Sequence, residues 1–149
     1  METRRITSLE ELDTIVTEVL SVCTAHDDLH VITLMGDLGA GKTAFTKLLG
    51  KQFRVTEEIT SPTFVVMKSY AIPVHPRFTT LTHIDAYRIE SEDEMRVIGL
   101  EALLNDPKRL ICIEWPEKIC GCIPKDVYQV MLTLNLDGSR EVTFGRADE

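Results

Sequence analysis

The sequence lacks the features that mark a DNA-binding or a membrane-spanning protein. It contains 16 Lys and Arg residues but 24 Asp and Glu residues, and the resulting net charge of −8 argues against a broad basic surface for nucleic acid. We expect no DNA partner, and RNA only through a partner protein or a local patch. No apolar run approaches the roughly 18 residues of a membrane span, and no signal-peptide core follows the N-terminal arginines. We therefore expect a cytoplasmic protein with no membrane partner.

Cysteines and flexible segments are also scarce. The only close pair among the four cysteines is Cys120-Gly121-Cys122. It has neither a second pair nor histidines at zinc-ligand spacing, so reduced thiols are expected. The chain contains no Gly/Ser linker, low-complexity tract or internal repeat. With 149 residues, 44% of them hydrophobic, it has enough material for one core. We predict a single domain over residues 1–149.

The most informative segment is GDLGAGKT, residues 36–43. It fits the phosphate-binding pattern Gly-x-x-x-x-Gly-Lys-Ser/Thr, whose glycines let consecutive backbone N–H groups point at one anion. Lys42 can reach the β- and γ-phosphates, and the Thr43 hydroxyl can bind Mg²⁺. The pattern requires a preceding strand and a following helix, which His30–Met35 and Thr43–Phe53 supply. The residues predicted to bind the nucleotide here are Gly36, Asp37, Leu38, Gly39, Ala40, Gly41, Lys42, Thr43 and Ala44.

The remaining pattern predicts an α/β protein with a P-loop NTPase-like three-layer fold. Its central sheet should be mostly parallel, with an antiparallel hairpin at the C-terminal end. A capped amphipathic helix should follow Thr7-Ser8. The other predicted elements are a β-rich Thr60–Tyr70, a loop Ala71–Phe78, a strand Thr79–Asp85, two short helices in Ser91–Asn105 that break near Gly99, a strand Arg109–Trp115, and hairpin strands Val127–Leu136 and Glu141–Phe144.

Two acids, Asp85 and Glu114, end apolar β-rich runs. Both are therefore expected at the carboxyl edge of the sheet, where ligands bind in open α/β folds. Phosphoryl transfer needs a metal and a positioned nucleophile in addition to a phosphate cradle. We predict that Lys42, Asp85 and Glu114 are the catalytic residues. The residue pattern leaves open which acid contacts the metal and which orients water.

Further candidates lie near these acids. Ser61 and Thr63 belong to a turn that could act as a γ-phosphate switch, or simply lead into a strand. His83 alternates with Asp85 along one strand, so it could hydrogen-bond that carboxylate or serve as a core histidine. Arg88 could neutralise phosphate, bind a partner or form a surface ion pair. Trp115 is either a partner anchor or a core residue.

Four motifs follow one another in this chain: GDLGAGKT, SPTF (61–64), HIDAYR (83–88) and IEWPEK (113–118). In this order and at these intervals they resemble the bacterial TsaE ATPases (the YjeE family) over roughly residues 8–145. The resemblance implies binding of ATP or ADP with Mg²⁺ and weak ATP hydrolysis by the protein alone. It also implies TsaD-like and TsaB-like partners that form threonylcarbamoyladenosine at adenosine 37 of tRNA, with ATP hydrolysis supporting their turnover.

The resemblance also implies individual roles. Lys42 and Thr43 would hold phosphate and metal, Glu114 would be the acid at the metal, and Asp85 would position water or support the site. The switch-or-partner set is Ser61, Thr63, His83, Arg88 and Trp115. Thr7 or Ser8 would lie near the adenine. Ala44 replaces a second threonine of many relatives, which removes one hydroxyl near the α-phosphate.

Other functions are compatible with a phosphate-binding loop. A small-molecule kinase is the main alternative, although no clear arginine-bearing lid pattern is present. A GTPase-like switch is disfavoured because the Asn-Lys-x-Asp motif that reads guanine is absent. A scaffold that binds nucleotide without hydrolysing it is a non-enzymatic alternative.

Overall fold

A computed structural model of the chain describes residues 1–148, and in this range seven strands and four α-helices are formed. In chain order they are β1 Glu2–Ile6, α1 Leu9–Ala25, β2 Val31–Met35, α2 Lys42–Gln52, β3 Met67–Ala71, β4 Thr80–Asp85, α3 Asp93–Val97, α4 Leu100–Leu104, β5 Arg109–Glu114, a 3₁₀ helix Pro116–Cys122, β6 Tyr128–Leu134 and β7 Arg140–Arg146.

All seven strands form one sheet in the order β1-β7-β6-β2-β5-β4-β3. The four central strands, β6, β2, β5 and β4, are parallel to one another. Antiparallel pairs complete the sheet on both sides, β6–β7 and β7–β1 on one and β4–β3 on the other. The carboxyl ends of β2, β4 and β5 therefore lie side by side at one edge of the sheet.

Side chains alternate between the two faces of the sheet and build two cores. On one face Ile32 and Leu34 of β2 pack with the buried residues of α1 and α2. On the other face Val31 and Ile113 pack with Met95 of α3 and with the 3₁₀ helix. Burial on both faces explains the continuous apolar character of the central strands.

The predicted three-layer α/β fold is confirmed, with the parallel pairing concentrated in the four central strands. The C-terminal hairpin is confirmed as β6 and β7. The break between two short helices is also confirmed, because Gly99 lies between α3 and α4 with a φ of +78°.

The structure departs from the prediction in three places. Strand β1 was not predicted, because its sequence ETRRI buries only Ile6 and lacks an apolar pattern; it pairs with β7 as an edge strand. The predicted β-rich segment 60–70 forms a strand only from Met67. Before that point the Pro62 carbonyl accepts hydrogen bonds from the Val65 and Val66 amides, which makes a turn. The 3₁₀ helix was also unpredicted.

Within residues 1–148, no helix is both long and apolar enough to cross a bilayer.

Candidate active site

The glycine-rich loop joins the carboxyl end of β2 to the start of α2. Gly36 leaves β2 with a φ of +143°, and a Cβ atom there would lie 2.3 Å from the Leu132 carbonyl oxygen. Only glycine permits this close approach to β6. Helix α2 begins at Lys42, and its first hydrogen bond runs from the Phe45 amide to the Gly41 carbonyl at 2.9 Å. The preceding N–H groups of this helix start have no intrahelical acceptor, so they are available to an anion.

Lys42 is buried against the loop itself. Its Nζ donates to the carbonyls of Gly36 and Asp37, the latter at 2.9 Å, and lies 4.4 Å from the centre of the Trp115 ring. Burial lowers the pKa of this ammonium group, and the charges of Glu114 and Asp85 oppose that shift. The lysine ammonium group therefore lies against the loop carbonyls, with the carboxylates of Glu114 and Asp85 nearby.

Glu114 is the acid that contacts the start of α2. Its Oε1 accepts a hydrogen bond from the Thr43 hydroxyl at 3.2 Å, and its Oε2 lies 2.8 Å from His83 Nε2. The carboxylate is only 2% exposed, and His83 is fully buried. His83 Nδ1 has no partner within residues 1–148. Because a carboxylate oxygen can only accept, we assign the proton of this hydrogen bond to His83 Nε2.

Asp85 lies beside Glu114 but is held by different residues. The two acids are register partners on the parallel strands β4 and β5. Asp85 Oδ2 accepts from the Thr63 hydroxyl at 3.0 Å and from Ser61 at 3.5 Å, while Oδ1 accepts from the Tyr87 amide at 3.0 Å. The predicted switch segment is therefore attached to Asp85.

Of the two alternatives for His83, the structure shows the buried, hydrogen-bonded histidine and not the hydrogen bond to Asp85. Although the two side chains share a face of β4, the His83 ring reaches sideways to Glu114 on the neighbouring strand. The register explains this, because His83 is paired with Cys112 and Glu114 follows two residues later on the same face of β5, as its diagonal neighbour.

These residues surround a cleft of about 330 Å³ at the carboxyl edge of the sheet. Its lining combines residues of the loop and of the start of α2 with the two acids, Trp115, Ser61 and Thr63. Of the predicted switch-or-partner residues, Arg88 and His83 do not line this cleft. Arg88 is exposed, and its guanidinium lies 4.6 Å from the centre of the Phe64 ring. His83 lies beneath the cleft, behind Glu114.

Trp115 is positioned by an unusual backbone conformation. It follows β5 directly, with a φ of +57°, and precedes Pro116 of the 3₁₀ helix. Its ring is half-buried, 5.0 Å from the centre of the Tyr87 ring. The side chain therefore forms part of the cleft wall beside Lys42 and is not a deep core anchor.

A second cleft, of about 350 Å³, lies on the other side of the loop. Its lining includes Thr7 and Ser8 together with Gly41 and Ala44. Ser8 caps α1 by accepting from the Glu11 amide at 3.2 Å, and Thr7 donates to the Glu11 carboxylate at 3.0 Å. The residues predicted to lie near the adenine are thus adjacent to the loop, separated from the first cleft by Gly41 and Ala44.

Arg140 is a residue of this region that the sequence analysis missed. It lines both clefts, and it reaches the glycine-rich loop from the first residue of β7, about a hundred positions away in sequence. The only local signal was a basic residue directly after the hairpin turn, which does not by itself indicate a site.

The fold and this edge of the sheet define an α/β protein with the strand–glycine loop–helix unit typical of P-loop NTPases. Comparison with known proteins then specifies the group. The family model for "Threonylcarbamoyl adenosine biosynthesis protein TsaE" matches residues 6–142. The chain therefore belongs to the TsaE family, as the four motifs predicted.

Individual relatives agree with this assignment. The tRNA threonylcarbamoyladenosine biosynthesis protein TsaE of Bacillus subtilis (strain 168) is 38% identical over 114 residues, which cover 76% of this chain and 68% of that protein. The protein of the same name from Treponema pallidum (strain Nichols) is 37% identical, over 76% and 79% respectively. A crystal structure of Bacillus subtilis YdiB superimposes with a TM-score of 0.72 at 25% identity, covering 98% of this chain and 85% of that one.

Proposed function

We propose that this chain binds ATP with Mg²⁺ in the cleft of Lys42, Asp85 and Glu114 and hydrolyses it to support threonylcarbamoyladenosine formation on tRNA. The observation that carries the proposal is the contact between Glu114 and the Thr43 hydroxyl at the start of α2. This contact brings together a loop residue and a strand-end acid that are 71 positions apart. The names of the relatives supply the pathway.

The donors present fit Mg²⁺ better than a metal that is held by protein side chains alone. Within residues 1–148, no group of three or more His, Cys, Asp or Glu side chains could hold a metal ion. Magnesium is usually held by one or two carboxylates together with water and substrate phosphates. In this proposal Thr43 and Glu114 would hold the ion, which would neutralise charge on the transferred phosphate.

The other residues have separate tasks in this proposal. The free N–H groups at the start of α2 and Lys42 bind the phosphates. Asp85, oriented by Thr63 and the Tyr87 amide, accepts a hydrogen bond from the attacking water. The second cleft, beside Thr7 and Ser8, takes the adenine, since it adjoins the loop across Gly41 and Ala44.

Exposed apolar side chains form a rim at the mouth of the cleft. This rim supports the proposal that TsaD-like and TsaB-like proteins bind there. Leu38 of the loop is 71% exposed, and Phe64 and Val65 beside Thr63 are 83% and 66% exposed. Tyr87, which packs on Trp115, is also exposed. Clustered apolar side chains around a polar cleft are characteristic of a protein interface. A partner on this rim would sit directly over the proposed catalytic residues. Because the net charge of −8 argues against a broad basic surface, we propose that any contact with tRNA occurs through the complex or through a local patch.

The test is ATP hydrolysis with Mg²⁺, measured for the protein alone and after addition of the TsaD–TsaB pair from the same source. We expect slow turnover by the protein alone and a sharp rise in turnover when the pair is added. An ATP hydrolysis rate that is unchanged by the pair would contradict the proposal. Phosphoryl transfer to small metabolites would also contradict it and would favour a kinase.

A matched pair of variants tests the rim. Phe64→Ser should reduce the stimulation by the pair, because Phe64 is in the rim. Val97→Ser should retain it, because Val97 is 88% exposed but lies on α3, outside the rim. If the pair stimulated ATP hydrolysis equally in both variants, Phe64 would not be part of the interface.

A further inference from the structure

The two oxygens of the Glu114 carboxylate have different surroundings. Oε1 lies 3.2 Å from the hydroxyl of Thr43, which lines the cleft. Oε2 lies 2.8 Å from Nε2 of His83, which is fully buried and does not line the cleft. Oε1 is therefore the oxygen on the cleft side of the carboxylate, and Oε2 is the oxygen on the interior side.

The His83 imidazole serves this one contact. Within residues 1–148 its Nδ1 has no hydrogen-bond partner, so Glu114 Oε2 is the only acceptor of the ring. A hydrogen bond to a charged group is stronger than one between neutral groups. Breaking it here would leave a buried carboxylate oxygen without a donor, which is costly. The carboxylate of Glu114 is therefore held in one orientation, with Oε2 occupied by a protein donor.

We propose that His83 is a positioning residue that selects Mg²⁺ over Ca²⁺, because it leaves only one oxygen of Glu114 for the ion. The inference rests on the proposed function, in which Thr43 and Glu114 hold the metal. Mg²⁺ keeps several waters in an octahedral shell and can use a single carboxylate oxygen. Ca²⁺ takes more oxygen ligands and often binds a carboxylate through both oxygens. Binding of that kind by Glu114 would require Oε2 to leave His83.

The experiment is calorimetric titration of the full chain with ADP, without divalent ions, with saturating Mg²⁺ and with saturating Ca²⁺. The readout is the gain in ADP affinity that each ion provides. His83→Phe removes the donor to Oε2, whereas His83→Gln keeps an N–H donor at the end of its side chain. Thr82→Val is the matched control, since Thr82 is a fully buried neighbour on β4 that hydrogen-bonds Ser69 and Arg109 and not Glu114.

For the wild type we expect the gain from Mg²⁺ to exceed the gain from Ca²⁺ at least about tenfold, the size of one lost hydrogen bond to a charged group. In His83→Phe the gain from Ca²⁺ should approach the gain from Mg²⁺, because both oxygens of Glu114 can then meet the larger ion. His83→Gln and Thr82→Val should keep the wild-type preference. General damage to the site would lower both gains together and would not raise the gain from Ca²⁺.

Three results would overturn the inference. The first is an equal gain from the two ions in the wild type, which decides the matter even if His83→Phe fails to fold. The second is a His83→Phe variant that folds, as judged by its unfolding temperature, and either keeps the wild-type preference or loses both gains. The third is loss of the preference in Thr82→Val, since the effect would then come from the packing of β4.

These outcomes separate the inference from the proposed function. If neither ion raises the ADP affinity of the wild type, the proposed metal site fails and the role of His83 fails with it. If both ions raise that affinity equally, the metal site stands and only the role of His83 is lost.

Discussion

Replacing Gly36 by alanine tests how the glycine-rich loop is positioned. Gly36 is the point where β2 ends and the loop begins, and its carbonyl accepts a hydrogen bond from Lys42. An added Cβ would lie 2.3 Å from the Leu132 carbonyl oxygen. That oxygen belongs to the backbone of β6, which pairs with β2 on one side and β7 on the other. No side-chain rotation can relieve the contact, so the loop or the strand must move.

Two costs add at this position. An L-residue at a φ of +143° is strained, which costs about 1–2 kcal/mol. Overpacking against a fixed backbone adds about 1–3 kcal/mol. At Gly138, in the β6–β7 turn, φ is +87° and no atom lies within 4 Å of an added Cβ. Gly138→Ala therefore places an L-residue at a positive φ without the clash, and the difference between the two variants reports mainly the contact with Leu132.

Urea and thermal unfolding measure this difference. We expect Gly36→Ala to lower the free energy of unfolding by about 2 kcal/mol more than Gly138→Ala, since the clash accounts for that excess. For a chain of this size the gap corresponds to about 4–8 °C in melting temperature. ADP affinity should fall in Gly36→Ala alone. If both variants were equally stable, the close approach of the loop to β6 would not hold the loop in place.

Four further predictions concern the cleft and the thiols. Lys42→Ala should weaken ADP binding at least about tenfold and abolish ATP hydrolysis, because it removes the charged donor of the loop; undiminished hydrolysis would exclude the phosphate role. Glu114→Gln should lose the gain in ATP affinity that Mg²⁺ provides while keeping Mg²⁺-free binding, as measured by titration with and without the ion; equal losses would argue against a metal role. Thr63→Val should slow ATP turnover without changing the gain in ATP affinity that Mg²⁺ provides, since Thr63 hydrogen-bonds Asp85 and not Glu114. Burial raises the pKa of Cys23 to about 12 and also raises the pKa of Cys112, so both thiols stay protonated and enclosed at pH 8. A thiol reagent at pH 8 should therefore react with the folded protein only at Cys120 and Cys122, and rapid reaction of all four thiols would contradict the packing.

Local patterns predicted the loop and most elements because their causes are local. The strand, the glycine-rich turn and the helix that follows it lie within 24 consecutive residues, His30–Phe53, and each has its own periodicity or turn chemistry. The break at Gly99 was visible for the same reason. Strand β1 was not visible, because an edge strand with one buried residue gains its stability from its partner β7 and not from its own sequence.

Which of the two acids contacts the start of α2 depends on the order of the strands in the sheet. Strand order is a property of the whole fold and not of the nearby sequence. Asp85 and Glu114 look alike in sequence, as each ends an apolar strand. In the sheet, β5 pairs directly with β2, whereas β4 is one strand further away. Glu114 is thereby brought to Thr43, which begins the helix after β2. Arg140 was missed for a similar reason, since its contact with the loop depends on how the C-terminal hairpin joins the sheet.

The two acids of the cleft are neighbours in register but are controlled by different parts of the chain. Glu114 is held by Thr43 at the start of α2 and by the buried His83 of β4, two residues of regular elements of the fold. Asp85 is held by the Thr63 and Ser61 hydroxyls, which belong to the exposed turn that carries Phe64. A partner that docks on Phe64 would therefore act on Asp85 through the Thr63 and Ser61 hydrogen bonds, whereas neither hydrogen-bond partner of the Glu114 side chain belongs to this turn. In the proposed mechanism this arrangement lets a partner adjust the position of the attacking water without disturbing the metal site.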